Sequence, residues 1–342
     1  MRIKLLIATE DAGYAEHLSS NVSQNYSDAI AVSVCQSKEC LLELLSTQKY
    51  EAALLESDLI KNTDLSAVTL PLILAADEEK EGQLDAAEEI GEVIKYQRIS
   101  SLIADVMARY AKVSKLGRKA DIEHACITAV WSPAGGVGKT TVALSYAAKK
   151  ASEGKQVLYL NLESFSSIPA YFCETGKSIS SVFEMLETNE GDIKMLIRGI
   201  CRRDGGAGVS YFCMPENFDD MCALSAENIA ELTTVCAGVT EELVIDMSCV
   251  CDRKTRKVFE LADKVLLVTD HTTTAELKLF QFASQHTVLE SIKEKALLVA
   301  NKGANSSQKI VSEALCLPLV KSSDPASVYK ALSGSFEDCV LG

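Results

Sequence analysis

The stretch Pro133-Ala134-Gly135-Gly136-Val137-Gly138-Lys139-Thr140-Thr141 follows an apolar run, Cys126–Trp131, and opens an alanine-rich helical pattern that reaches about Ser152. A strand, a glycine turn and a helix in that order form a phosphate-binding loop. Glycines let the backbone turn so that successive amides point at one anion, and the helix N-terminus adds partial positive charge. In such a loop the Lys139 ammonium reaches the β- and γ-phosphates, and the Thr140 hydroxyl binds magnesium. Gly135, Gly136, Val137, Gly138, Lys139, Thr140 and Thr141 are therefore the candidate residues for ATP with Mg2+. A bare glycine cluster says little, whereas Gly-Lys-Thr-Thr at a strand-to-helix junction is specific.

Three positions downstream support the same site. Leu243-Val244-Ile245-Asp246 is an apolar strand ending in a carboxylate, where Asp246 would hold magnesium through water. Asn161-Leu162-Glu163 ends the strand after the loop helix, and Glu163 is the candidate to orient an attacking water, against the plainer reading of a solvated strand end. Asn301 ends a later strand, where an amide offers adenine a donor and an acceptor. Lys139, Glu163 and Asp246 are the catalytic candidates, and Thr140 and Asp246 the metal candidates.

Apolar runs predict further strands at 156–162, 209–214, 265–269, 297–301 and 317–320, with helices between them, for example at 224–236 and 273–292. Ser178 and Ser225 read as helix caps, since a side-chain oxygen satisfies an orphan amide there. The first third repeats the alternation: strands at 3–8, 29–34, 51–55, 70–75 and 93–94, helices at 13–24, 37–46 and 99–111. Short apolar strands alternating with helices mean parallel sheets covered on both faces. The expected class is α/β, with two doubly wound domains at 1–111 and 125–342. The basic segment 112–124 between them reads as a solvated linker.

The chain's 342 residues fit two domains of roughly 150 each. With 34 basic against 48 acidic residues the net charge is −14, which disfavours non-specific nucleic-acid binding and anionic membrane surfaces. No apolar run reaches the ~18 residues of a membrane span. The first residues read as a buried strand rather than a leader, and Cys339-Val340-Leu341-Gly342 ends on a glycine that suits prenylation poorly. The expected location is the cytoplasm. The twelve cysteines include no CxxC pair, so they read as reduced, buried thiols.

The loop, the acidic residue after the second strand, Asp246 and the late Asn301-Lys302 resemble the MinD/ParA family of ATPases with a deviant Walker A motif, over about residues 125–335. The resemblance implies ATP-dependent homodimerisation with nucleotide sandwiched between subunits, and slow hydrolysis. Two departures stand out. The family's signature lysine, which reaches across the dimer, aligns with Ala134, and its Asp-x-Asp is Asn161-Leu162-Glu163 here. Loss of a trans cation is costly, since an analogous arginine finger is worth roughly 10³–10⁵ in rate. Arg198, Arg202 and Arg203 are the substitutes considered, though a basic helix end explains them more simply.

Residues 1–111 resemble the receiver domain of response regulators. Glu10-Asp11 fits the acidic pair and Lys95 the strand-end lysine, but the phosphoacceptor position holds Glu56 and the usual threonine or serine is Ala75. Glutamate carries one fixed charge where a phosphate brings nearly two. The resemblance implies a domain locked in one state or used for docking; a surface ion pair between Glu56 and Lys95 is the equally weighted structural reading.

A degenerate receiver before a MinD-like ATPase resembles the TadZ/CpaE family, which places pilus-assembly machinery of the Tad or Flp type. The segment Gly208–Asp220, with its proline and acidic turn, and the altered Walker A fit that branch. The resemblance implies a dimeric localisation factor with slow hydrolysis, partnered by pilus or secretion assembly proteins and recruited by them to a pole or the inner face of the membrane. An active ParA-type partitioning ATPase, a phosphorylated response regulator and a metabolic enzyme on the same fold are the alternatives. The acidic balance weighs against the first and Glu56 against the second; the absence of cluster-ligand cysteine spacing weighs against a nitrogenase-reductase-like form of the third and leaves an amidoligase-like synthetase open.

Overall fold

The computed structural model describes residues 2–27, 29–75, 90–113, 125–172, 178–188, 192–270, 272–303 and 310–336. Among these, no helix is long and apolar enough to cross a membrane. The chain divides into two compact units. One holds the described residues up to Val113 together with 192–200, and the other holds the rest.

In the first unit, β1 (Ile3–Ala8), β2 (Ile30–Cys35), β3 (Tyr50–Leu55), β4 (Val68–Ala75) and β5 (Gly91–Ile94) form a parallel sheet in the order β2-β1-β3-β4-β5. That is the doubly wound, flavodoxin-type order. Helices α1 (Ala12–Asn25), α2 (Lys38–Thr47), α3 (Ser57–Ile60) and α4 (Ile99–Val113) cover it. Strand alternation sorts the two faces. Ile3, Leu5 and Ile7 pack with Leu18 and Val22 of α1 and Leu102, Val106 and Met107 of α4. Leu6 and Ala8 pack with Leu41 of α2 and Leu59 of α3 on the other face. The predicted linker lies outside the described residues beyond Val113.

The second half of the chain begins with β6 (Cys126–Trp131), α5 (Lys139–Ser152), β7 (Val157–Asn161), α6 (Ser180–Thr188), α7 (Ile193–Ile200), β8 (Arg202–Arg203) and β9 (Ser210–Tyr211). It continues through α8 (Phe218–Ala223), α9 (Ala226–Ala237), β10 (Glu242–Asp246), α10 (Arg253–Leu261), β11 (Lys264–Thr269), α11 (Thr273–Ala283), α12 (His286–Ile292), β12 (Ala296–Ala300), β13 (Glu313–Cys316) and α13 (Pro325–Ser333). The sheet order is β13-β12-β11-β6-β10-β7-β9-β8, parallel except for the edge strand β8. Helix α5 buries Val142, Ala143, Tyr146 and Ala147 against Val130, Val244 and Leu266 of the sheet and against Tyr329 and Leu332 of α13.

Four expectations need correction. Helix α7 lies in sequence within 125–342 but belongs to the first unit, where it packs on α4. Its Ile193, Leu196, Ile197 and Ile200 are buried, and Gly199 lets it approach so closely that an added Cβ would stand 2.3 Å from Met107 Cβ. The last strand is Glu313–Cys316 rather than 317–320, because Pro318 has no N–H to give a ladder; Leu317 is the buried anchor, its amide donating to the Ala300 carbonyl (2.8 Å). The helix expected over 273–292 breaks in two. The Ser284 amide and hydroxyl both turn back to the Phe280 carbonyl, and Gln285 adopts non-helical angles. Burial accounts for only some of the described cysteines: Cys35, Cys213 and Cys236 are buried, but Cys222, Cys249 and Cys316 are exposed. Ser225 does cap α9, within a reciprocal box with Asn228.

Candidate nucleotide site

In the second unit the carboxyl ends of the central parallel strands lie side by side. Asp246 pairs in register with Val130 on one side and Asn161 on the other. The loop from Ser132 to Gly138 rises from this edge into α5. Its conformation requires glycine at two points: Gly136 has φ 77° and Gly138 φ 92°, both left-handed. Side chains added at Gly135 or Gly136 would meet nothing within 4 Å, so this face of the loop is open.

The reverse side of the loop is held by the segment after β12. Asn301 Nδ2 donates to the Val137 carbonyl (2.9 Å), and Lys302 Nζ donates to the Gly136 carbonyl (2.8 Å) while pairing with Asp270 (2.8 Å). Two successive carbonyls are thus turned toward the strut, which leaves the open face of the loop to amides. The Asn301 oxygen accepts from the Lys302 amide (2.8 Å), and the residue is 3% exposed. The adenine-reading role expected for Asn301 is therefore corrected: its amide is spent beneath the loop. A Cβ at Gly138 would stand 2.4 Å from Asn301 Nδ2, so glycine is required there by packing as well as by angle.

Lys139 is almost buried at the first turn of α5, and its Nζ lies 3.6 Å from Glu163. Asp246 is fully buried at the end of β10. Its Oδ2 accepts from the Tyr159 hydroxyl (2.8 Å) and Asn161 Nδ2 (3.2 Å), and its Oδ1 has no hydrogen-bond partner. Burial, with the nearby Glu163 charge, pushes the Asp246 carboxyl up to about 7, against the pull of Thr140, Tyr159 and Lys139. Thr140, Lys139, Glu163 and Asp246 are thus brought together, while the Thr141 hydroxyl lies 3.1 Å from that of Tyr171. Ala134 is buried in the core beside Val137, with its amide donating to Ser132 Oγ (3.1 Å). Arg202 and Arg203 form the far edge strand, and Arg198 lies on α7 in the first unit.

Sequence reasoning misses Tyr159, Asp270 and Tyr171. Tyr159 had a signal, since it shares with Asn161 the same face of a buried strand. Asp270 follows β11 directly, a carboxylate just past the strand end, whereas Asp246 closes β10. Tyr171 had none.

No family model and no curated protein matches the chain. Solved structures do. A ParA family ATPase from Chlorobium tepidum TLS aligns with a TM-score of 0.50 at 15% identity, over 62% of this chain and 96% of that one. The septum site-determining protein MinD complexed with Mg-ADP from Pyrococcus horikoshii OT3 gives 0.48 at 12%, over 63% and 96%. A plasmid partition protein from Borrelia burgdorferi B31 bound to AMPPNP gives 0.47 at 16%, over 63% and 98%. The likeness is one of fold: over 62% of its length the chain shares the α/β fold of the ParA family ATPase.

In the first unit, the receiver-like positions also converge. Lys95 Nζ lies 2.6 Å from Glu56 Oε1 and 3.4 Å from Asp11 Oδ2, and its ammonium stands over the rings of Tyr14 and Tyr96. Glu56 Oε2 accepts the Glu10 amide (2.8 Å), and Asp11 Oδ1 caps α1 through the Tyr14 amide (3.0 Å). Burial alone would raise the Glu56 carboxyl, but Lys95, the Glu10 amide and the Thr9 hydroxyl hold it below its usual range. The pair is not on the surface as expected, because Lys95 is 7% exposed.

Proposed function

We propose that the second unit binds ATP with Mg2+ and that the protein is a nucleotide-dependent, dimeric positioning factor with slow or negligible hydrolysis. The observation that carries this is the unpartnered Asp246 Oδ1, fully buried beside Thr140 at the foot of an open glycine cradle. A buried carboxylate oxygen without a donor is costly unless a proton or a cation completes it. The residues present therefore fit the group: Thr140 and Asp246 would hold the metal, and the loop amides and Lys139 the phosphates. Bound magnesium supplies neutralisation of phosphate charge.

The chain's own residues set the rate. Lys139 is held only loosely by Glu163 at 3.6 Å, so turning its ammonium to an anion costs little. Glu163, once released, is free to orient a water. Position 134 offers no cation to a partner subunit, because an alanine buried in the core stands there. Binding then survives where turnover is weak, and nucleotide occupancy rather than hydrolysis is the switch.

The finer reading is a TadZ/CpaE-like localisation factor of a Tad or Flp pilus system, recruited to a pole or the inner membrane face by assembly partners. The shared fold with a ParA family ATPase agrees with a positioning role. The first unit supports it through its engaged carboxylates. The oxygens of Glu56 and Asp11 already have partners, which agrees with a receiver-like pocket used for docking rather than phosphorylation. The test mixes the full chain with ATP and magnesium, then follows oligomer size and phosphate release for wild type and Lys139→Ala. An ATP-dependent dimer with very slow release is expected, absent in the variant. Fast, DNA-stimulated turnover would favour an active partitioning ATPase instead.

A further inference from the structure

Two side chains of β7 reach the Asp246 carboxylate without being ligand candidates themselves. Tyr159 and Asn161 share one face of the strand, and in the sheet register Tyr159 stands opposite Val244 and Asn161 opposite Asp246. Tyr159 is fully buried. A phenol in such a place needs a partner for its hydroxyl, whereas phenylalanine fills nearly the same space without one. The hydroxyl has a single hydrogen, and it goes to Asp246 Oδ2 (2.8 Å). The Tyr159 oxygen in turn accepts from Asn161 Nδ2 (3.0 Å), which also reaches Asp246 Oδ2 (3.2 Å).

The Asn161 amide can stand only one way round. Its Oδ1 accepts the Glu163 amide (3.0 Å), a group that only donates, so Nδ2 is the atom facing Asp246. An ionised carboxylate at position 161 would have no proton to give there and would repel Asp246 instead. Between them the Leu162 amide donates to the Asp246 main-chain carbonyl (2.8 Å), which holds the two strand ends together. Asp246 Oδ2 thus takes two donors, both from β7, and Oδ1 takes none among the described residues. A carboxylate gripped at one oxygen by two donors does not turn freely about its Cβ–Cγ bond, so its other oxygen keeps one direction.

We infer that Tyr159 and Asn161 are positioning residues of the nucleotide site, which hold Asp246 by Oδ2 so that Oδ1 is presented to the divalent cation accompanying the phosphates. The inference deepens the ATP–magnesium reading and rests on it. Through its Oδ1, Asn161 also ties this carboxylate to the start of the loop that carries Glu163. Partners that orient a metal ligand typically change metal affinity by about 10- to 100-fold when they are removed.

The experiment measures the Kd of a fluorescent, non-hydrolysable ATP analogue for the full chain, in EDTA and in saturating Mg2+. The ratio of the two is the gain in affinity that the cation brings, read apart from the grip of the loop on the phosphates. In Tyr159→Phe and Asn161→Ala that ratio is expected to fall on the order of tenfold or more, with the Kd in EDTA and the thermal transition close to wild type. Tyr146→Phe is the control. It loses a buried hydroxyl bond of the same kind, to Glu242 Oε1 (3.2 Å) at the other end of β10, and its ratio should stay at the wild-type value. An unchanged ratio in the folded β7 variants overturns the inference. So does a loss of affinity that is equal in EDTA and in Mg2+, or a ratio that falls as far in Tyr146→Phe, because either makes the pair part of the core and nothing more. Wild type that gains no affinity with Mg2+ sinks the ATP–magnesium reading underneath, a result distinct from any difference between the variants.

Discussion

Replacing Gly138 by alanine puts a methyl group where Asn301 Nδ2 stands, at a built distance of 2.4 Å. The residue also sits at φ 92°, where an L side chain costs about 1–2 kcal/mol. If Asn301 withdraws, its bond to the Val137 carbonyl is lost, a further cost of about 1 kcal/mol. The loop relieves both by leaving its cradle geometry, which binding must then restore. The sum of about 2–3 kcal/mol predicts an ATP affinity roughly 30- to 150-fold weaker. Equilibrium titration with a fluorescent ATP analogue and magnesium measures it, with a thermal melt to confirm folding. Asn301→Ala alone is expected to cost about 1 kcal/mol, and to weaken inorganic triphosphate as much as ATP, because the amide holds the loop and not the base. In the double variant the lost bond is counted once, giving a coupling of about 1 kcal/mol. Strict additivity within about 0.5 kcal/mol, or Gly138→Ala binding within threefold of wild type, would refute the reasoning.

The Asp246 carboxyl ionises at 3.8 ordinarily and at about 7 when folded, so between those values the unfolded chain has lost a proton that the folded one keeps. Stability of the nucleotide-free protein therefore falls as pH rises across that window, and Asp246→Asn should flatten the fall and raise the melting temperature at pH 8 while abolishing magnesium-dependent nucleotide binding; an unchanged pH profile would count against a buried, raised carboxyl. Gly199→Ala should lower stability despite the usual gain of about 1 kcal/mol for alanine in a helix, because its methyl meets Met107 Cβ and Cγ, and hydrogen exchange should rise in α4 and α7; a higher melting temperature would show that the helices separate freely.

Much of both sheets was legible because their strands are short apolar runs between helical patterns, and burial on two faces demands that composition. Val157–Asn161 and Glu242–Asp246 end in polar residues at the strand ends where a site would form. The edges were less legible. Arg202–Arg203 carries no apolar pattern because an edge strand needs none, whereas the strand expected at 209–214 is present but shortened to Ser210–Tyr211. The strand at Glu313–Cys316 was displaced in the reading by the more apolar residues around Pro318. The assignment of α7 was out of reach, since its amphipathic pattern announces a buried face without naming what covers it.

By itself the sequence determined the glycine loop between β6 and α5, the strand-end carboxylate Asp246 and the doubly wound class, because local backbone geometry and burial on both sheet faces are written in consecutive residues. Tertiary structure alone decided what each polar group faces. It turned Asn301 from a reader of the base into the strut of the loop, left Asp246 with one buried oxygen unpartnered, and set Lys95 between Glu56 and Asp11. Those outcomes depend on distances between residues up to 164 positions apart, as with Asn301 and Val137, and no local pattern encodes them.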